Sequence, residues 1–399
     1  MTRTLFAAAL LASAAPVLAD NHTIAPGDGA AERLQEALIL AEPGDTIMLE
    51  AGRYALTEGL SLDVEGVTIR GAGMEGDTQS ILDFTNQQGA GEGLLVTSDN
   101  VTLRDFAVEN AKGDGIKSKG ADNIIYHGLR IEWTAGPKAS NGAYGIYPVE
   151  SSNVLVQDNY VRGASDAGIY VGQSENIIVR RNRVVENVAG IEIENSNYAE
   201  VTENLTTKNT GGILVFDLPG LPKVGGGSVL VARNAVIDNN TDNFAPEGNI
   251  VASVPAGTGV MIMANTNVQV RENALINNNT SHVMLIAYTQ DYNDDRYQPR
   301  AVDVAISGNV YSSGGTAPDF PGGDMLAAAV GGALPPILVD GLQQGLTVTD
   351  EVPVLSLGLT KVGQQLAEAS PQPWSQADEV PSKRLAAVVL PEGMEARLQ

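Results

Sequence analysis

The chain has 399 residues and a formal charge of −24, from 48 acidic and 24 basic side chains. Such an acidic balance excludes nucleic acid as a partner, because phosphate binding needs clustered Lys and Arg. The absence of cysteine excludes disulfides, thiolate metal sites and thiol catalysis.

Residues 1–19 read as a secretory signal peptide: Arg3, an apolar run over residues 5–15, then the small residues Val17-Leu18-Ala19 before Asp20. The run is shorter than the roughly 20 residues a membrane span needs, and no Cys follows it for lipid attachment. The mature protein is therefore expected to be soluble, periplasmic or secreted, and monomeric. Next, Leu34, Ala37, Leu38 and Ala41 recur at helical spacing, with Asp28 positioned as a cap. Pro43-Gly44-Asp45 turns this helix into a strand over residues 46–49.

An internal repeat then governs the chain. One phrase recurs as Asn100-Val-Thr-Leu, Asn123-Ile-Ile-Tyr, Asn153-Val-Leu-Val, Asn176-Ile-Ile-Val and Asn267-Val-Gln-Val. Each repeat carries a ladder asparagine, at Asn159, Asn182, Asn204, Asn234, Asn273 and Asn309. A Gly-Ile strand recurs at Gly145, Gly168, Gly190 and Gly212, in steps of 23, 22 and 22 residues. That step is the length of one three-strand coil. Alternation turns Ile169, Val171, Ile191 and Ile193 inward, and only stacked coils can bury such a row. The ladder asparagines read as structural, because Asn bonds neighbouring backbone and tolerates turn conformations.

These features predict an all-β, single-stranded right-handed parallel β-helix (a solenoid) of about 9–10 coils over residues 20–345. An N-terminal helix caps it, and an irregular tail or strap follows over residues 346–399. Outward positions on the Gly-Ile sheet form two columns. One reads Lys117, Tyr147, Tyr170, Glu192, Leu214, Met261, Met284; the other reads Lys119, Val149, Gly172, Glu194, Phe216, Met263, Ile286. The first four coils are polar and the later ones apolar. The apolar strip is expected to lie under the insertion at 239–258 or under the tail, or else to serve as a partner site.

The entry segment Leu34-Gln-Glu-Ala-Leu through Glu42-Pro-Gly-Asp-Thr-Ile-Met-Leu-Glu-Ala-Gly-Arg-Tyr54, with Gly66-Val-Thr-Ile-Arg-Gly-Ala-Gly73, resembles the start of many secreted β-helix proteins, among them polysaccharide lyases and alginate C5-epimerases. Together with Leu334-Pro-Pro-Ile-Leu-Val-Asp-Gly341, it is most similar to the exported parallel β-helix repeat family of bacteria. Members of that family have no established activity and are often encoded beside an exported haem protein. The Asp-Pro-His-Asp motif of the alginate epimerases is absent.

Architectures of this kind place substrate on the Gly-Ile sheet, so the resemblance implies a groove there. Lys117, Tyr147, Tyr170 and Glu192 are the catalytic candidates. Lysine would neutralise a uronate carboxylate, and Tyr or Lys would move the C5 proton. Lys119, Trp133, Lys138, Tyr144 and Glu194 are the substrate-binding candidates, with 133, 138 and 144 on one inserted loop. Asp166, Glu192 and Glu194 are the candidate Ca²⁺ ligands, as in pectate-lyase-like enzymes. Residues 291–295 alternate oxygen donors but lack the Gly and Glu of a calcium loop. His127 falls on a neighbouring sheet with Arg104, Gln157 and Arg180, away from the groove. Two readings stay open: an exported lyase or epimerase acting on uronate-containing polysaccharide, or a non-catalytic β-helix that binds glycan or docks on an exported partner protein through the apolar strip.

Overall fold

The computed structural model describes residues 19–89, 91–376 and 384–399; the expected signal peptide lies outside them except for its last residue. From Thr46–Leu49 to Ile337–Val339 the chain winds through thirty strands, each coil giving one strand to each of three sheets. Ten coils result, as the repeat predicted. Sheet 1 begins at Asn21–Ile24, sheet 2 at Gly52–Ala55 and sheet 3, the Gly-Ile sheet, at Leu60–Leu62. Pairing between coils is parallel throughout. Thr347–Val348 and Val354–Ser356 extend sheets 1 and 3 past the boundary expected at 345. The edge strand of sheet 3 then pairs antiparallel with Gln372–Pro373.

Parallel register turns the repeat into columns. Ile169, Ile191, Ile213, Val260, Val283 and Ile337 stack on one another, and all are fully buried. Each such side chain contributes about 1.5–3 kcal/mol when taken from water, but only once a neighbouring coil covers it. At the N-terminal end the helix Ala30–Leu40 closes the core with Leu34 and Leu38. Its N-cap is Gly29, left-handed at φ 69, with no side-chain cap. Asp28 does not cap it, since Gly29 holds the cap position; Arg33 donates to the Asp28 and Ala25 carbonyls beside it.

The asparagine ladder forms as predicted. Asn159 gives both its backbone N–H and its side-chain amide to Asn182 Oδ1, at 3.0 and 2.9 Å. Asn182, Asn204, Asn234 and Asn273 repeat the pattern, and Asp350 terminates it by accepting from Asn309. Each ladder amide also reaches a carbonyl of the preceding coil, as Asn204 does to Val179. The left-handed residues sit elsewhere. They are the phrase asparagines, such as Asn123 at φ 57, and the residues preceding the ladder, such as Glu203 at φ 59. A second ladder runs five residues on through Asn187, Asn209, Asn239 and Asn278.

The described tail divides: Leu357 and Leu359 join the apolar cover on the Gly-Ile sheet, whereas its last residues do not. Residues 384–399 lie along sheet 1, where Met394 is buried against Ile125, Leu155 and Ile178. Arg397 donates to the carbonyls of Asn100 and Asn123. His127 stands in this sheet beside Arg104 and Gln157, away from the groove as expected.

Asn204→Ala removes one rung and orphans the buried Asn182 N–H and the Val179 carbonyl. It should destabilise the solenoid by at least about 2 kcal/mol, read as a lowered urea midpoint, whereas Asn176→Gly on the half-buried phrase column, which tolerates the left-handed φ of 57 there, should change it little.

Candidate functional site

The outward columns fall in the predicted register. Lys117 pairs with Tyr147, Tyr170 with Glu192, Glu192 with Leu214 and Leu214 with Met261. The apolar part is not a free surface. It forms a second core outside the solenoid, in which Leu214, Phe216, Met261, Met263 and Met284 are covered by Val251, Val254, Tyr288, Tyr297 and Leu334. Several segments therefore fold over the strip: the 217–226 loop, the insertion at 238–257, the loop at 287–300, the stretch at 315–336 and the residues from 357 on. A docking face through Phe216 and Met263 is thereby removed, since both are buried by the chain itself.

Where the cover stops, a cavity of about 370 Å³ remains. Its floor holds Glu192 and Glu194, two residues apart on one face of Ala189–Glu194. Tyr144 and Asp166 lie on one side, and residues 249–251 of the insertion form a wall with Phe216 and Leu218. None of the described lining residues is a Lys, Arg or His.

Tyr144, Tyr147 and Tyr170 form a triangle of rings with centroids 4.6 to 4.7 Å apart. The Tyr144 phenol lies beside Asp166 and the Tyr170 phenol beside Glu194, each favouring the carboxylate form of its neighbour. Gly172 makes the second contact possible. It pairs with Glu194, and a Cβ built on it would stand 2.3 Å from the Tyr170 hydroxyl. The ring thus lies across the glycine to reach the carboxyl beyond.

Burial dominates the electrostatics. It raises Asp166 to about 7, with the charge of Glu194 adding to the effect. Burial raises Glu194 to about 7 against the opposing effect of the Tyr170 phenol. Glu192 is raised well above the usual carboxylate range, first by burial and then by Asp166 and Glu194. Burial and the same carboxylates raise Tyr144 and Tyr170, and Tyr147 reaches about 12. The trio therefore holds protons near neutrality, and the phenols stay neutral donors.

Other expected site residues fall outside the cavity. Trp133 is core: it is 4% exposed, and its indole N–H donates to the Ala111 carbonyl at 2.7 Å. It cannot bind substrate, because its ring fills the end of a coil. Lys138 is exposed on the same loop and does not line the cavity. Lys117 sits on the flank over the Tyr147 ring, paired with Glu92 at 3.2 Å and Asp114 at 3.6 Å. Lys119 pairs with Glu150 at 3.8 Å. Tyr144, expected in that loop, instead opens the strand Tyr144–Val149.

The acidic trio does not fit Ca²⁺. Among the described residues no three His, Asp or Glu side chains come together closely enough to hold a metal ion, and hard-cation sites need converging ionised oxygens. The 291–295 loop is likewise committed to other bonds, with Asp294 engaged by Arg296 and the Gly220 N–H. Sequence reasoning passed over Asp217, which accepts from the Gly225 and Gly226 N–H groups and from Asn265. Its place directly after the Phe216 column was the available signal. It closes the 217–226 loop beside the cavity and is raised to about 6 by burial.

Residues 66–221 match the family model described as right handed beta helix region. No curated protein matches the chain by sequence. The structure is similar to the catalytic unit of a GH87 alpha-1,3-glucanase from Streptomyces thermodiastaticus strain HF3-3, at TM-score 0.52 and 15% identity, covering 86% of this chain and 54% of that one. It is similar to a DFA-IIIase from Arthrobacter chlorophenolicus A6, at TM-score 0.50 and 12% identity, covering 82% and 94%. A mannuronan C-5 epimerase A-module from Azotobacter vinelandii aligns at TM-score 0.49 and 13% identity, covering 82% and 95%. At these identities the likeness establishes the fold, a right-handed parallel β-helix. No described helix is long and apolar enough to cross a membrane.

Raised carboxyl pKa values bind protons more tightly in the folded than in the unfolded chain. Their stabilising contribution is complete below about pH 4 and is lost as pH rises through about 7. Melting temperature should therefore fall between pH 5 and pH 8. Glu194→Gln and Asp166→Asn should flatten that fall, measured by circular dichroism.

Proposed function

We propose that this chain is a glycan-active enzyme that cleaves or transfers glycosidic bonds with the carboxyl groups of Asp166, Glu192 and Glu194. The observation that carries this reading is the convergence of three buried, proton-holding carboxyl groups on one cavity, two of them beside tyrosine phenols. Carboxyl groups whose environments push their proton affinities apart supply an acid and a base at one pH. In glycoside hydrolysis a protonated carboxyl gives its proton to the leaving oxygen. A second carboxylate activates water or attacks the anomeric carbon. Glu192, the most buried of the three and raised by both neighbours, is assigned as the acid. Glu194, held by Tyr170, is assigned as the base or nucleophile. Tyr144 and Tyr170 are positioning residues for Asp166 and Glu194. The alpha-1,3-glucanase that shares the fold is in keeping with this reading.

The same geometry favours neutral glycans over uronates. A uronate carboxylate would enter a cavity lined by acids and no described cation, while Lys117 and Lys119 are paired on the flank. Proton abstraction by tyrosine is also disfavoured, because burial and nearby carboxylates hold the phenols neutral. β-Elimination and C5 epimerisation, the reactions first suggested by the resemblance, therefore rank behind hydrolysis or transfer.

Mature protein incubated with neutral glucans and fructans, alginate and pectate should release reducing ends or transfer products from a neutral polymer. Activity should rise as pH passes up through about 7, where Glu194 gives up its proton, and fall only at the higher pH where Glu192 gives up its own. Glu192→Gln and Glu194→Gln should each lower kcat by about 10²–10⁴-fold, with Lys117→Ala near wild type. Unsaturated ends on alginate or pectate would restore the lyase reading, and binding without any product would leave a glycan-binding module. The reading includes export, so N-terminal sequencing of protein from the periplasm or medium should begin at Asp20.

A further inference from the structure

We infer that the glycan carries an apolar substituent, an acyl, alkyl or prenyl chain, and that this chain occupies a second cavity on the same sheet. The inference rests on the carboxyl reading above and supplies its substrate class. The second cavity has a volume of about 440 Å³, within the range of roughly 300–1,000 Å³ that small-molecule sites occupy. Met284, Leu338 and Leu357 form its floor, while Tyr288, Phe320 and Leu359 rise around it. Asp340 is its one described charged lining residue, and it is already satisfied by the Ala287 and Leu342 N–H groups. Water there has few polar partners, so a hydrocarbon chain replaces it favourably.

The two cavities are neighbours that share part of their lining. Between them a smaller space of about 50 Å³ is lined by both Glu192 and Met263, beneath the short helix Ile250–Ser253. Ile250 faces all three spaces. Glu192 and Met284 belong to one outward column, separated by three strand spacings, or about 14 Å along the solenoid axis. A ligand with a polar sugar at one end and an extended chain at the other matches this order of acids, covered strip and open apolar pocket. A plain oligosaccharide would leave the second cavity unfilled by anything of its own polarity. Thr289, Gln290 and Gln364 rim the cavity, so the chain enters an apolar floor through a polar mouth.

The test is calorimetric titration of the mature protein with maltose and with octyl, decyl and dodecyl maltoside, all below micelle-forming concentrations. Each buried methylene should tighten binding about fourfold, so dodecyl maltoside should bind at least about tenfold tighter than octyl maltoside. Ile286→Gln and Leu359→Gln, both only partly buried, should flatten the series while retaining the wild-type melting temperature. A flat series in the wild type, or a steep one that survives both substitutions, would overturn the inference. Neither result bears on the carboxyl residues, which the glycan panel judges separately. A steep series that both variants flatten, together with no glycan product, supports the chain site and removes the catalytic reading alone.

Discussion

The coil-to-coil register, pinned by the two asparagine ladders, is the constraint on which the rest of the molecule depends. Steps along the first ladder vary from 22 residues between Asn182 and Asn204 to 39 between Asn234 and Asn273, yet no rung is lost. Extra residues are therefore forced out of the ladder turns and into the connections flanking sheet 3. There they emerge as the 217–226 loop, the 238–257 insertion and the 287–300 loop. A lost rung would orphan buried amides, so the chain places its variation where water or the outer core can absorb it.

That placement produces the site. In-register stacking would leave the Gly-Ile sheet a flat, open face with half its area apolar. The segments extruded beside it fold back and bury the apolar half, forming a core outside the solenoid. The polar half becomes a cavity with an apolar wall, and that wall lowers the local polarity around Asp166, Glu192 and Glu194. Burying three acids together is unfavourable by itself. Their protons and the adjoining tyrosine phenols relieve the repulsion, and the result is a set of acids whose proton affinity is raised by burial.

Much of this was legible in the sequence. Alternation and the 22-residue step identify the coils, and they identify the outward columns residue by residue, because a parallel register carries no slack. The acids Glu192 and Glu194 and the tyrosines 147 and 170 follow from that, whereas Tyr144 reads as a loop residue until its strand is seen. What the sequence did not disclose was partnership across insertions. Trp133 reads as an exposed loop aromatic until the coil end that it fills is seen. Lys117 reads as a groove cation until Glu92, from the preceding coil, is found beside it together with the local Asp114. The second ladder was legible and passed over: Asn187, Asn209, Asn239 and Asn278 follow the first ladder at a constant offset of five.

The two ends of the solenoid deserve the same physical scrutiny as its middle. A stack of parallel coils ends in unpaired strand edges, which invite another copy to continue the stack. Here Leu34 and Leu38 of the N-terminal helix roof one end. At the other, Gln372–Pro373 runs antiparallel along Val354–Ser356, reversing the direction of the outermost strand and setting a proline, which has no N–H to offer, on the rim. The last edge of the Gly-Ile sheet is thereby turned into one that a further parallel coil does not continue in register.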